Sequence, residues 1–192
     1  MSEHLHQPKA VFTPDNEPYL GRTSVFCFDQ VIVSCLEANG DVAKYTHKHS
    51  HGLSELQKAA CQIIPQGINL ALSIRELVRQ GYLFAAIVLV RPLIERAAII
   101  SYLHERPEEI HLWRDGWRYR KRPELATMLA TMGDKTDIDQ AKKICKMFNH
   151  VVHGDPIGSS FNLVNLDPGG LGYAVGKALT EPELCDFICF QS

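Results

Sequence analysis

Two histidines close an amphipathic segment in the run Asn149-His150-Val151-Val152-His153-Gly154-Asp155-Pro156. Imidazole titrates near neutral pH without help, so it gives or takes a proton under cellular conditions. In the last turn of a helix, beside outward-facing carbonyls, the protonated ring is favoured. Upstream, Arg91 and Glu95 stand four apart in a segment otherwise nearly all apolar. On a helix they share a face, with Tyr102 further along the same stripe. A charge among apolar neighbours must be paired. The pair therefore reads in two ways, as an internal ion pair that fixes helix register or as a guanidinium and carboxylate lining a cleft. If it is fully buried, Glu95→Ala costs roughly 3–5 kcal/mol. If it is exposed, the loss stays under about 0.5 kcal/mol.

Lys142, Lys146, Asn149 and His153 follow i, i+4, i+7 and i+11 along one border of the segment's apolar face. Two lysines, an amide and a terminal imidazole suit a phosphate-reading edge, although solvated lysines and a His that caps carbonyls give the same pattern. His150 points away from that stripe. A third feature is Trp113-Arg114-Asp115-Gly116-Trp117-Arg118-Tyr119-Arg120-Lys121-Arg122. Cations interleaved with aromatics match a single-stranded nucleic acid, with Arg114, Arg118 and Arg120 for phosphates and flat rings for bases. The plainer alternative turns the tryptophans to the core and the cations to solvent. His47-Lys48-His49-Ser50-His51 spaces imidazoles two apart but has no partner Cys or carboxylate nearby, so it reads as a polar linker. Gly170 to Lys177 only superficially resembles a phosphate loop: its glycine spacing is one residue too long and Ala178 replaces the needed hydroxyl.

The elements that must position these residues are helical. Residues 1–20, with three prolines and no periodicity, read as an irregular arm. A short helix is predicted over Ser24–Glu37, stopping at Asn39-Gly40. Ser54-Glu55-Leu56-Gln57 is a capping box, and the helix it opens carries Ile63, Leu70, Ile74, Leu77 and Val78 at helical spacing. Pro65 inside it predicts a kink or split. Tyr82–His104 is apolar on nearly every face, as expected of the central buried element of a bundle. Pro107 starts another helix, expected to run to Tyr119, and a shorter one follows Pro123. Thr136 caps the next, whose apolar face is Ile138, Ala141, Ile144, Cys145, Phe148, Val151 and Val152. Gly154 and Pro156 end it. Residues 157–180 predict a small β-hairpin, Phe161–Leu166 with Leu171–Val175, and a last helix begins near Glu181. The expected architecture is all-α in the main: one antiparallel helical bundle over residues 1–192 with a hairpin insertion near 160–176.

The chain has 192 residues and a formal net charge of -2, which excludes a globally basic nucleic-acid binder while leaving room for a local basic patch. Cys27, Cys35, Cys61, Cys145, Cys185 and Cys189 show no paired metal or redox spacing and sit mostly in apolar runs, so a reducing, cytoplasmic setting is expected. Met1-Ser2-Glu3-His4-Leu5-His6 lacks the pattern of a secretory signal, and no apolar run is long enough for a membrane span. No cofactor motif is present.

An apolar helix bearing Arg91, Pro92 and Glu95, followed by an amphipathic helix ending in His153-Gly154, resembles uncharacterised bacterial helical families allied to the HEPN superfamily. The likeness spans about residues 54–190 and rests on short motifs. It implies a helical bundle that homodimerises, with roles in toxin–antitoxin or phage-defence systems. In active members an Arg, a polar residue and a His near a helix end form a metal-independent ribonuclease site. His153 matches the histidine and Asn149 the polar position. Phe148 stands where the arginine would be, which leaves Arg91 or Lys146 to supply the cation and Glu95 to orient it. Two other readings belong to different classes. One is a non-catalytic helical module that binds a partner protein, and the other is a sensor of an anionic compound held by Arg91, Glu95 and Tyr102.

Overall fold

The computed structural model describes residues 17–118, 122–132, 138–166, 169–173, 175 and 181–192. It is a mainly helical bundle with one two-stranded hairpin. No helix among the described residues is long and apolar enough to cross a membrane.

The first helix, α1, spans Thr23–Lys48 and runs straight through Asn39-Gly40, where a stop was expected. A glycine inside a helix costs about 1 kcal/mol relative to alanine, too little to end a helix whose flanks both favour it. The predicted arm also ends sooner than residue 20. Tyr19 is buried in the core, and Glu17 pairs with Arg75 at 2.6 Å.

α2, Glu55–Gln80, opens on the predicted capping box: Gln57 N–H donates to the Ser54 hydroxyl at 3.2 Å and Ser54 N–H to Gln57 Oε1 at 2.8 Å. Pro65 lies within it without dividing it. The neighbouring α3, Leu83–Glu105, packs along α2 and supplies the support that the missing backbone bond does not. Gly81 turns the chain between them at φ 82°, its N–H reaching Val78 O at 3.0 Å while Tyr82 N–H reaches Leu77 O at 2.8 Å. This paired closure needs a left-handed residue just past the helix end, the position glycine fills without strain.

α4, Ile110–Arg114, follows a 3-10 turn over Pro107–Glu109 and stops well short of Tyr119. Gly116, at φ 74°, repeats the closure seen at Gly81, with Trp117 N–H bonded to Leu112 O at 2.8 Å. Short α5, Leu125–Leu129, comes next, then α6, Ile138–His153, and α7, Pro156–Ser159. On α6, Phe148 and Val151 are buried and Cys145 half-buried as expected, but Val152 is exposed. Thr136 lies outside the described residues, as do the side chains of Ile138, Ala141 and Ile144. The hairpin pairs β1, Leu163–Leu166, with β2, Gly170–Tyr173, in the register Leu163↔Tyr173 to Leu166↔Gly170. It is shorter than predicted, because Phe161 sits in a 3-10 turn and packs on the core. α8, Pro182–Gln191, closes against α1 and α3.

Two apolar clusters fill the interior. One joins the start of α1, the end of α2, the first half of α3, Phe148 and Val151 of α6, and α8. The other joins the start of α2, the second half of α3, Ile110, Trp117 and α5. α3 is the shared spine. Along it, Val90 belongs to the first cluster and Ala98 to the second, with Arg91 and Glu95 between them.

Candidate functional site

The seam between the two cores is where the charged residues of α3 meet the polar border of α6. Arg91 Nε donates to Glu95 Oε1 at 3.2 Å, and Arg91 Nη1 donates to the Asn149 side-chain oxygen on α6. Arg91 and Glu95 are 23% and 21% exposed, so the pair is neither sealed in the core nor a surface pair. The two readings of this pair thus merge. It links helices, and it faces water. Cys145, one turn before Asn149, is half-buried, and burial pushes its thiol up in pKa, which keeps it protonated.

The other oxygen of Glu95 lies 3.9 Å from Arg96 and 3.9 Å from Arg122. One carboxylate therefore serves three guanidinium groups, which leaves surplus positive charge at this spot. Arg96 is steadied by Gln66 of α2, whose Oε1 accepts its Nε–H at 3.1 Å. These residues border an open cleft of about 450 Å³ that Ile99, Trp113 and Trp117 also line. Trp117 is only 6% exposed and belongs to the second core, so it is no free platform for a stacked base. Its φ of 40° is left-handed, rare for a bulky residue. Its indole N–H is buried with no hydrogen-bond partner among the described residues. Arg122 sits over its ring at 6.0 Å. Arg96 and Gln66 went unnoticed in the sequence, and Arg122 was read there only as part of the cation–aromatic run; the Gly116 helix stop, which swings Trp117 inward, was the signal that could have placed it.

The end of α6 holds the two histidines. Gly154, at φ 64°, turns the chain, and α7 folds back on the helix. His150 donates its Nδ1–H to Asp155, whose other oxygen accepts the Gly158 N–H at 3.2 Å. A carboxylate on Nδ1 fixes the tautomer and leaves Nε2 as the basic nitrogen. His153 is exposed, one helical turn beyond Asn149 on the same border.

The other predicted residues separate into groups. Lys142 and Lys146 are exposed on the α6 border, Lys142 within 3.9 Å of Asp139. Arg114 pairs with Glu55 at the start of α2. Gly67 of α2 faces Leu93 and Arg96. Glu55 lies roughly 18 Å along the helix axis from it, so Arg114 does not join the seam. Arg118 is exposed, and Arg120 lies outside the described residues, as do Tyr119 and Lys121. Tyr102 is also turned elsewhere, its hydroxyl donating to Glu109 at 2.8 Å, with burial first and that carboxylate second raising its pKa. His47 lies in the last turn of α1, His49 follows the helix and His51 lies in a 3-10 turn, so this stretch is partly helical. Among the described residues no three His, Cys, Asp or Glu side chains are grouped to hold a metal ion.

Comparison with protein-family models, with curated proteins and with solved structures finds no match to this chain.

Proposed function

We propose that the protein binds and cleaves single-stranded RNA at the α3–α6 seam, by proton transfer through His153 with Arg91 as the phosphate-facing cation. The observation that supports this most is the reach of Arg91 across to Asn149, one turn from the exposed imidazole. It puts a cation beside the polar border of α6 even though Phe148 occupies the position of the family's arginine. Guanidinium has five N–H donors, and the bonds to Glu95 and Asn149 engage two of them. The others remain for phosphoryl oxygens. Exposed Lys142 and Lys146 on the same border suit an incoming phosphate backbone.

In this reading His153 takes the proton from a ribose 2′-hydroxyl. The oxygen attacks the adjacent phosphorus, the bond to the 5′-oxygen breaks, and that oxygen leaves with a proton from an imidazolium. The products are a 2′,3′-cyclic phosphate and a 5′-hydroxyl. Arg91 stabilises the charge that builds on the phosphoryl oxygens, and Glu95 and Asn149 hold it in place. His150, half-buried and bonded to Asp155, lies off that border, so the imidazolium that returns the proton is that of His153 itself.

The test incubates labelled single-stranded RNA with the purified protein in chelator. Cyclic phosphate ends are expected from the wild type, with a loss of about 100-fold or more in His153→Ala at unchanged helix content. Undiminished cleavage by a folded His153→Ala variant overturns the assignment. If the folded wild type neither cuts nor binds RNA, the non-catalytic, partner-binding module takes its place.

A further inference from the structure

The run from Trp113 to Arg122 does not form the nucleic-acid track that its cations and rings suggest. Arg114 turns away to Glu55, Trp117 is buried in the second core, and Trp113 is half-buried. What the run builds instead is one wall of the cleft of about 450 Å³ beside Glu95, through Trp113, Trp117 and Arg122. A concavity of that size suits a small molecule rather than an extended strand.

Its charge is unbalanced. Among the described residues, Arg96 and Arg122 line it against the single carboxylate of Glu95. One Glu95 oxygen stands 3.9 Å from each of them, too far for a hydrogen bond, while the other accepts from Arg91 at 3.2 Å. Arg122 makes no hydrogen bond among the described residues and is 51% exposed. Arg96 commits only its Nε–H, to Gln66 at 3.1 Å. Each guanidinium keeps a planar fork of donors, the shape that grips a carboxylate. Ile63, Ile99 and Trp113 make the rest of the lining apolar. Trp117, which closes the cleft, is held at φ 40°, and backbone strain of that kind gathers at ligand clamps.

We propose that this cleft binds a small organic monocarboxylate with an aromatic body. The carboxylate bridges Arg96 and Arg122, and the ring lies against Trp113 and Ile99. One negative charge cancels the surplus, and the ring covers apolar surface that water otherwise wets. The site is not the Arg91–Glu95–Tyr102 sensor suggested by spacing, since Arg91 reaches to Asn149 and Tyr102 to Glu109, and neither lines the cleft. It is also independent of the phosphodiester reading, because Arg91, Asn149 and His153 take no part in it.

The chain has two tryptophans and both line the cleft, so their fluorescence reports its occupancy. The full chain is titrated with 3-phenylpropionate, excited where the acid does not absorb, and a saturable change is expected. The uncharged amide of the same acid, and acetate without the ring, should each bind at least about 10-fold more weakly. Arg122→Gln and Arg96→Gln should each weaken the acid about 10-fold, with helix content unchanged by circular dichroism. Arg114→Gln and His153→Ala should bind it as the wild type does. The site is overturned by the absence of a saturable signal, by an amide or acetate that binds as well as the acid, or by indifference to both cleft arginines. Displacement of the acid by single-stranded RNA gives the cleft to the nucleic acid and overturns it too.

Discussion

At the scale of single residues, Glu95 has several contacts to lose. It is the common anion of Arg91, Arg96 and Arg122, and it is about four-fifths covered. The two limits set from the sequence, full burial or full exposure, both miss this state. Two of its three cations stand at 3.9 Å, long for a strong pair, and water reaches the group. Glu95→Ala is therefore expected to cost about 1–2 kcal/mol, between the surface and buried limits. Urea denaturation of the variant beside wild type measures it. The same substitution frees Arg91 from one of its two tethers, so under the proposed function RNA cleavage should fall as well. That Arg91 and Glu95 sit together was legible, because i, i+4 spacing on a helix dictates it. Arg96 and Arg122 were not: one adjoins Glu95 in sequence, and the other arrives from a distant segment that no periodicity could place.

Elements explain which boundaries could be read. The Ser54 capping box and the Gly81 closure are both local chemistry, complete within a few residues, and the capping box stands where the sequence put it. Asn39-Gly40 and Pro65 are weaker signals, and a long helix overrode each. The return of α7 onto α6 left almost no trace in the sequence, yet it leaves no room for a side chain at Gly158. A Cβ built on Gly158 would stand 2.0 Å from the carbonyl oxygen of His150 and 2.9 Å from Val151 Cα. Both obstacles are backbone, which cannot rotate aside. Gly158→Ala should cost about 1–3 kcal/mol, the range for overpacking, and should pull Asp155 away from His150. Thermal unfolding reads the first effect, and the imidazole nitrogen shifts of His150 by NMR read the second. Gly158 stood in the sequence as one glycine among several, because what makes it necessary is a neighbour from another helix.

For the whole molecule, closure depends on joining the first helix to the last. Arg22, just before α1, and Ser24 within it both donate to Asp186 of α8. The Arg22 guanidinium, and then the Ser24 hydroxyl, hold the Asp186 carboxyl down at about 2 from its ordinary 3.8. A carboxyl whose folded pKa is depressed contributes stability above its unfolded value and loses it as pH falls through the folded one. Wild-type stability should thus decline between about pH 4 and pH 2, and Asp186→Asn should flatten that segment while lowering the plateau at neutral pH. Denaturant midpoints collected across this range give the comparison. The bundle and its apolar spine were predictable from composition and period. Its division into two cores was not, since both are built from alternate halves of the same long helices. That division has one more consequence. Arg91, Glu95 and Asn149 occupy a gap that neither core needs filled, so they can be exchanged without opening a void in either. The groups that the proposed function relies on thus lie outside both cores, and exchanging them costs their own few polar contacts rather than the packing of either core.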